Sequence, residues 1–354
     1  MNSAAKKTVV LDFDTERLFQ NKVFIEEEAL KVSHTILPIC YLAEKAEERG
    51  ISFVTPDVFL NQDASNSKVL LMSHLQTRYT QKLIAQGARP AILTCQESPF
   101  VATRFYFNLP EISYFYPHSF LFSGMAKRAS KNTIYHQMFF PQSYDFSDVP
   151  VVPFYEKKFL TMISGNKRMG SLKKTLILKL LYGFGVKEIY AQRQKVINFM
   201  ANHPKDFDLY GFGWEKGGKN EEERQNIQKV YRGSVTDKVS TLRQYKFAFC
   251  FENSMFPGYV TEKIFDVMYA GCVPVYNGAP DIASFVPENA FIDVRDFKDY
   301  EALFNFLKSI DQRTYQKYLQ NIQSFLSSQA FAKFSQENFA NNVLQILEEE
   351  FAHA

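Results

Sequence analysis

The sequence lacks several features that define whole classes of protein. Its four cysteines, Cys40, Cys95, Cys250 and Cys272, lie far apart and form no CxxC pair, which argues against a disulfide framework and a thiolate metal site. The six histidines show no HExxH or similar metal-ligand spacing. Basic residues number 41 against 38 acidic ones, too even a balance for a protein that coats nucleic acid. We therefore predict reduced, buried thiols, no metal site and no nucleic-acid partner.

Long apolar runs are also missing. No segment approaches the roughly 20 apolar residues that span a bilayer, and the most apolar tract, 267–276, contains Gly271 and Pro274. Near the N-terminus, two lysines precede an apolar run that is shorter than the core of about 7–15 residues found in signal peptides. We expect a cytoplasmic protein, and peripheral contact with the inner membrane face stays open.

What is present is the pattern of an ordinary globular α/β protein. The 354 residues are 46% apolar and 22% charged, and a chain of this length suits two domains. Residues 1–150 alternate strand patterns with helix patterns, as parallel βαβ units do. The strands are predicted at 8–13, 51–54, 69–73 and 91–95, and the helices at 38–49 and 76–87. The aromatic stretch 100–145 has no clean period and receives no assignment.

A proline-rich interruption at 139–153 marks the predicted domain boundary. Residues 151–354 then repeat the alternation. The strands are predicted to begin near 159 and to cover 207–212, 247–252, 273–276 and 291–294, and the helices to cover 188–202, 236–244, 261–270, 299–309, 312–326 and 335–351. The chain is therefore predicted to form two doubly wound, Rossmann-like domains that face a cleft.

The most informative segment is 251–280, FENSMFPGYVTEKIFDVMYAGCVPVYNGAP. Its pattern predicts a strand that ends at Phe251, a loop, and a helix with Thr261 as N-cap. Such a helix N-terminus favours an anion, and Lys263 would add a positive charge. Glu262 would accept hydrogen bonds from sugar or ribose hydroxyls. On spacing alone, Glu262 and Lys263 fit a plain solvated first turn equally well.

FENS, GYVTEK and AGCVPVYNGAP together resemble the donor-binding signature of the α1,3/4-fucosyltransferases, glycosyltransferase family 10. A weaker resemblance continues through 162–168, 190–200, 208–214 and 291–297. It implies a GT-B fold, a GDP-fucose donor in the C-terminal domain, and inversion at the anomeric carbon without an essential metal or cofactor. The implied acceptor is an oligosaccharide or glycolipid, with an α1,3 linkage to an N-acetylglucosamine or glucose unit favoured.

The resemblance also implies roles for single residues. Asn253, Tyr259, Glu262 and Lys263 fall on the donor-contacting motif, Arg193 falls on the arginine used against the diphosphate, and Ser164, Tyr210 and Gly211 join the donor side. Two cations would then stabilise the charge on the leaving GDP.

Glu97 is the candidate general base. It follows the strand predicted at 91–95, so it lies at the carboxyl end of a parallel strand, which is where α/β proteins bind their ligands. Its ESP tripeptide resembles the site of the family's proposed catalytic glutamate. A turn of this kind is, however, commonly an exposed connection between elements without a functional role.

One departure and several alternatives remain. Asn277 stands where the family often has tryptophan, which leaves acceptor and subtype open. A transferase for another GDP-deoxysugar and a non-catalytic sugar-nucleotide-binding protein stay possible. Asp12 and Asp14 suggest, remotely, a magnesium-dependent haloacid-dehalogenase-like phosphatase, but the threonine of that motif is misplaced. Asp206 and Asp208 form a DxD triplet, which is a weak signal for a metal site because it lies at the start of a strand. The glycines of 211–218 lack the spacing of a dinucleotide-binding loop, and we interpret this segment as an ordinary loop.

Overall fold

The computed structural model describes residues 6–62, 67–144, 152–167, 172–183 and 185–353. The chain divides into two compact units. The first comprises Met1–Ser143 and Lys333–Ala354, and the second comprises Tyr144–Ala332. The two-domain prediction placed its boundary at 150, and it assigned the last 22 residues to the second domain, whereas they belong to the first unit.

The first unit contains a six-stranded sheet in the order β2-β1-β3-β4-β5-β6. Its strands are β1 (Lys6–Asp12), β2 (Ile51–Val54), β3 (Ser67–His74), β4 (Arg89–Thr94), β5 (His118–Leu121) and β6 (Ile134–Gln137). Its helices up to this point of the chain are α1 (Glu26–Leu30), α2 (Leu37–Glu47), α3 (Pro56–Leu60), α4 (Thr80–Ala85), α5 (Thr103–Phe107) and α6 (Leu109–Tyr114). Every neighbouring pair of strands is parallel.

The second unit contains a five-stranded parallel sheet in the order β13-β12-β10-β7-β9 and a two-stranded antiparallel ribbon, β11-β8. Its strands are β7 (Lys158–Ile163), β8 (Lys187–Glu188), β9 (Phe207–Tyr210), β10 (Tyr245–Phe251), β11 (Ser254–Met255), β12 (Val273–Asn277) and β13 (Ile292–Asp293). Its helices are α7 (Leu172–Tyr182), α8 (Tyr190–Met200), α9 (Glu221–Val230), α10 (Lys238–Leu242), α11 (Glu262–Tyr269), α12 (Tyr300–Ser309), α13 (Gln312–Leu326) and α14 (Gln329–Ala332).

These two sheets confirm the prediction of two doubly wound α/β domains. The elements predicted from periodicity are present within a few residues of their expected bounds. The aromatic stretch without a period contains α5, α6, β5 and β6. All four residues of β5 are buried, so this strand shows none of the alternation between apolar and polar residues by which a half-buried strand is recognised.

The last helix, α15 (Gln336–Ala352), returns the chain to the first unit. Its Phe339 ring lies 6.1 Å from that of Phe120 on β5, edge to face. At its far end, Arg89 of β4 donates to the Glu350 carboxylate at 2.7 Å and to the Glu350 carbonyl at 2.6 Å. Periodicity located the helix, but only these contacts assign it to the first unit.

All four cysteines are free and buried, which confirms the prediction made from their spacing. Burial raises the pKa of Cys40 to about 11 and that of Cys95 to about 12, so both thiols are protonated at neutral pH. Among the described residues, no helix is both long and apolar enough to cross a membrane.

Lys157, just before β7, is 5% exposed, and its side chain connects separate segments inside the second unit. Its ammonium donates to the carbonyls of Arg243 at 2.7 Å, Gly271 at 2.9 Å and Tyr245 at 3.3 Å. Arg243 directly follows α10, and Gly271 lies just beyond α11. Burial lowers the pKa of Lys157, but three acceptors match its three N–H donors.

We expect Lys157→Met to lower the free energy of unfolding by about 3 kcal/mol, because it leaves buried carbonyls without their donor. Urea unfolding followed by circular dichroism measures this. Lys298→Met, at a lysine side chain that is 82% exposed in the same unit, is the matched control. Equal stability of the two variants would show that the three hydrogen bonds contribute little.

Candidate active site

The second sheet reverses its strand order between β7 and β10. From β7 the chain moves outward to β9 on one side, and from β10 it moves outward to β12 on the other. Ligands of open parallel sheets bind at the carboxyl ends of strands beside such a reversal. The loop after β7 and the loop after β10 open at this edge, and they carry Ser164 and the 252–261 segment.

Glu252, directly after β10, is fully buried and organises the second of these loops. Its carboxylate accepts from the Thr261 backbone N–H at 2.9 Å and from the Thr261 hydroxyl at 2.8 and 3.0 Å. Lys263 Nζ lies 3.2 Å from the same carboxylate. The charge of Glu252 is therefore paired and hydrogen-bonded, as a buried charge must be.

The predicted N-cap is present at Thr261, but its side chain caps nothing. The hydroxyl is directed to Glu252 instead of the helix N–H groups. The start of α11 therefore keeps its partial positive charge without the side-chain oxygen that usually offsets it. This is the arrangement expected of a helix start that receives an anion.

Lys263 and Glu262 flank this helix start and lie 3.3 Å apart. Burial alone would lower the pKa of Lys263, but the Glu252 and Glu262 carboxylates outweigh burial and hold it well above its usual value. Burial would raise the pKa of Glu262, but Lys263 and Lys238 outweigh it and lower that pKa. Both groups are thus charged at neutral pH, and the Lys263 side chain is 22% exposed.

Arg193, on α8, lies beneath the loop and is 4% exposed. Its guanidinium donates to the carbonyls of Phe251 at 2.6 Å and Glu252 at 2.7 Å, and to Asn253 Oδ1 at 3.2 Å. Asn253 in turn donates to the Tyr259 hydroxyl at 3.4 Å. The structure brings these three predicted site residues together, but it buries them under the loop rather than presenting them at its surface.

Ser164 and Gly211 form the other side of the edge. Ser164 N–H donates to the Tyr210 carbonyl at 3.0 Å, and the Trp214 indole donates to the Ser164 carbonyl at 2.6 Å. Gly211 has φ of +128°, and a Cβ there would lie 2.1 Å from the Ser164 carbonyl oxygen, so only glycine fits. The Ser164 hydroxyl is buried and has no hydrogen-bond partner in the described part of the chain.

Tyr210 contributes its backbone to this edge, while its ring packs edge to face against that of Tyr245. The Tyr210 hydroxyl lies 2.9 Å from that of Tyr245, which donates to Asp208 at 2.6 Å. Asp208 also pairs with Lys158 at 3.2 Å and Arg232 at 2.7 Å. Asp208, one of the two aspartates in the weak DxD triplet, is therefore the centre of a structural ion-pair network.

Asn277 is 2% exposed, and its amide donates to Gln192 on α8. The side chain that replaces the family's frequent tryptophan therefore packs against a neighbouring helix. The next residue, Gly278, lies against Glu252: a Cβ there would come within 2.5 Å of Glu252 Cγ and 2.2 Å of the Tyr276 hydroxyl oxygen. Sequence reasoning missed Glu252 and Gly278, although both lie inside the motif that it singled out.

In the first unit, Glu97 follows β4 at the carboxyl edge and is partly buried. Its loop is anchored by the Tyr106 hydroxyl, which donates to the Glu97 carbonyl at 2.8 Å. On the neighbouring strand end, Leu75 has φ of +64°, a left-handed conformation that is strained for leucine, and its N–H donates to the Thr94 carbonyl at 2.9 Å. Backbone strain of this kind clusters at functional sites.

His74 precedes the strained leucine and lies 3.3 Å from the Thr94 hydroxyl. Burial lowers the pKa of His74 to about 4.

Asp12 and Asp14, the two aspartates of the phosphatase alternative, differ in burial and in their partners. Asp12 is fully buried and accepts from the hydroxyls of Ser73 at 3.0 Å, Thr80 at 2.5 Å and Thr77. Burial raises its pKa in spite of these bonds. Asp14 is exposed and pairs with Arg78 at 3.4 Å. Three hydroxyl donors occupy the Asp12 carboxylate, which identifies it as an internal hydrogen-bond acceptor.

The 211–218 segment forms a loop after β9, as predicted. Within the described ranges, no group of three or more histidine, cysteine, aspartate and glutamate residues is placed to hold a metal ion.

The model of the C-terminal part of glycosyltransferase family 10, described as fucosyltransferase, matches residues 173–349, half of the chain. This segment contains Arg193, Glu252, Glu262 and Lys263. The chain belongs to glycosyltransferase family 10.

Named relatives of this family 10 chain share short segments with it. An α-(1,3)-fucosyltransferase of Helicobacter pylori is 40% identical over 75 residues, 21% of this chain and 16% of the relative. A GDP-fucose protein O-fucosyltransferase 3 of Bos taurus is 39% identical over 82 residues, 22% and 17% of the two chains. The α-(1,3)-fucosyltransferase B of Drosophila melanogaster is 31% identical over 108 residues, 29% and 24%. The matches thus span about a sixth to a quarter of these relatives.

Solved structures resemble the chain over nearly its whole length. A crystal structure of an α1,3-fucosyltransferase has a TM-score of 0.51 at 15% identity and covers 98% of this chain and 92% of its own. A sucrose-phosphate synthase from Thermosynechococcus elongatus has a TM-score of 0.64 at 12% identity and covers 98% and 100%. At such low identities these likenesses show the fold alone, which is GT-B-like, as predicted.

We expect Gly278→Ala to lower the free energy of unfolding by about 2 kcal/mol, because its methyl group would overlap Glu252 and Tyr276. Chemical unfolding of the whole chain measures the loss. Gly185→Ala is the control, since a Cβ at Gly185 meets nothing within 4 Å, and it should change stability by less than about 0.5 kcal/mol. A wild-type-like Gly278→Ala variant would contradict the tight packing around Glu252.

His74 predicts a pH dependence of stability. The folded protein keeps this imidazole neutral down to about pH 4, whereas the unfolded chain takes up a proton near pH 6.5, the ordinary histidine value. The folded state binds fewer protons in this window, so stability falls as pH falls from about 6.5 to 4, by about 3 kcal/mol for this group.

Urea unfolding over this pH range should show a shallower loss for His74→Gln than for the wild type. His353→Gln, at an exposed position of the same unit, is the control and should keep the wild-type slope. Identical slopes for wild type and His74→Gln would refute the assignment.

Proposed function

We propose that this chain is an inverting glycosyltransferase that transfers L-fucose from GDP-fucose to a hydroxyl of a glycan acceptor. The observation that carries the proposal is the edge at the β7/β10 reversal. Lys263 and an uncapped helix start lie on one side of it, and the Ser164 hydroxyl, which has no hydrogen-bond partner among the described residues, lies on the other. Membership of family 10 supports GDP-fucose as donor. The solved α1,3-fucosyltransferase with GDP shares the fold, at a TM-score of 0.50.

In this proposal the diphosphate of GDP binds at the start of α11. Lys263 is a partly exposed cation in the first turn of this helix, so it stabilises the charge that builds on the leaving GDP. Glu262, whose side chain is 18% exposed beside Lys263, accepts hydrogen bonds from sugar or ribose hydroxyls. Ser164 supplies a hydrogen bond from the opposite loop.

Arg193, Asn253 and Tyr259 lie beneath the loop at 252–261, and we assign them the support of that loop. The guanidinium of Arg193 holds the carbonyls of residues 251 and 252, so we assign it the positioning of the donor loop together with its charge beneath the diphosphate. Asn253 and Tyr259 complete that support through their mutual hydrogen bond. Gly211 serves the same edge by allowing the 164 and 211 loops to touch.

Glu97 is assigned as the general base that takes the proton of the acceptor hydroxyl. Its place after β4, on the edge that also carries the strained Leu75 and the neutral His74, supports this assignment. A base within reach of the attacking hydroxyl contributes typically a factor of about 10² to 10⁴ in rate. We further propose an oligosaccharide or glycolipid acceptor and an α1,3 linkage.

The proposal needs no metal ion, because Lys263, the helix start and Arg193 together oppose the charge of the leaving diphosphate. Two alternatives keep the same donor site. One is a transferase that uses another GDP-deoxysugar, and the other is a protein that binds sugar nucleotides without turnover.

Calorimetric titration with GDP, GDP-fucose and NAD, repeated with EDTA, tests the donor site. We expect metal-independent binding of GDP and GDP-fucose and none of NAD. Lys263→Ala should weaken GDP binding more than about 100-fold, but it also leaves Glu252 unpaired and endangers the fold. Ser164→Ala removes a hydroxyl that has no partner within the described ranges, so it should keep full stability and weaken GDP binding about tenfold.

Glu97→Gln should lower turnover by about 10² to 10⁴ while GDP affinity stays within about twofold. Turnover is measured as GDP release over a panel of acceptors, and Glu111→Gln, at an exposed position of the same unit, is the control. Absence of GDP binding in the wild type would refute the donor site, and full activity of Glu97→Gln would refute the base. Binding without turnover on every acceptor would favour the non-catalytic alternative.

A further inference from the structure

Helix α7 of the second unit leaves a stripe of leucines exposed. Leu172, Leu176 and Leu180 are 77%, 58% and 72% exposed, and their spacing of four residues places them along one face of the helix. Leu178, which points to the opposite side, is fully buried. The helix is therefore anchored by its other face, and the leucine stripe is directed outward.

Basic residues border this stripe on both sides. At 3.6 residues per turn, Lys173 and Lys179 lie about 60° to either side of its centre. The sequence from 157 to 187 contains eight basic residues and no acidic one. An apolar face bordered by lysines has the character of a helix that lies in a lipid interface.

We propose that α7 binds the surface of an anionic lipid bilayer, with the leucine stripe at the boundary of headgroups and acyl chains and with Lys173 and Lys179 against lipid phosphates. The 11-residue helix is about 16 Å long, which suits binding parallel to the surface and not crossing it. This inference goes beyond the proposed function and does not rest on it.

Charge favours this occupant over a second copy of the chain. Two copies of the stripe facing each other would bring their bordering lysines together, and like charges across an interface oppose association. An anionic surface offers the complementary charge and an apolar layer at the same time.

The helix also lies close to the candidate donor site along the chain. Leu172 follows Lys167, a residue of the loop after β7, by five positions in the chain, so the start of α7 is within about 18 Å of that loop. A bilayer that holds α7 therefore lies near the carboxyl edge of the second sheet.

Sedimentation of the full chain with vesicles tests the proposal. We expect binding to phosphatidylcholine vesicles that contain about 30 mol% phosphatidylglycerol, weakened by salt, and little binding to pure phosphatidylcholine. Leu172→Ser/Leu176→Ser/Leu180→Ser should weaken binding at least about 100-fold. Lys173→Gln/Lys179→Gln should weaken it about 25-fold.

Three exposed aliphatic residues of the first unit, Ile25, Leu30 and Ile134, are 50%, 54% and 58% exposed. Their triple serine variant is the matched control and should bind vesicles as the wild type does. GDP titration of each variant reports the fold and the donor site separately from lipid binding. Failure of the wild type to bind anionic vesicles, or equal binding by the leucine variant, would overturn the proposal. The proposal would also be overturned if the wild type does not bind vesicles and light scattering shows that it forms a dimer which the leucine variant cannot form.

Discussion

The buried carboxylate of Glu252 is the constraint on which the candidate donor site depends. A fully buried charge is stable only when it is paired and hydrogen-bonded, and Thr261 and Lys263 meet that need. This single demand explains three features of the site. The Thr261 hydroxyl is diverted from capping α11, residue 278 has no Cβ, and the Lys263 ammonium is held at the helix start instead of extending into solvent.

Arg193 and Lys263 make different contacts because they are buried to different degrees. Arg193 is 4% exposed and its guanidinium holds backbone carbonyls of the loop, whereas Lys263 keeps 22% of its side chain accessible. A planar guanidinium with five donors suits the first task, since it can hold several oxygens at once. A compact ammonium at a helix start suits the attraction of an anion, because it adds a full positive charge to the partial positive charge of the helix.

Parallel sheets collect the chemistry of both units at carboxyl edges. In the second unit, the loops after β7, β9 and β10 meet there, and close contact between the 164 and 211 loops requires Gly211. In the first unit, the corresponding edge carries Glu97, the strained Leu75 and a histidine whose pKa burial lowers. Elsewhere the sheets combine apolar packing with internal polar clusters, such as Asp12 with Ser73 and Thr80 in the first unit and Asp208 with Tyr245 in the second.

The sequence by itself determined the α/β alternation, the approximate bounds of most elements, the buried thiols and the family, because periodicity and contiguous motifs are local properties. Only the tertiary structure decided that α15 belongs to the first unit, that Glu252 organises the loop at 252–261, and that Arg193, Asn253 and Tyr259 are buried under it. These outcomes depend on contacts between residues far apart in the chain, such as Arg193 with Phe251 and Arg89 with Glu350. The pattern of residues predicts which segments are apolar, but the partner that each buried polar group finds is fixed only when the chain has folded.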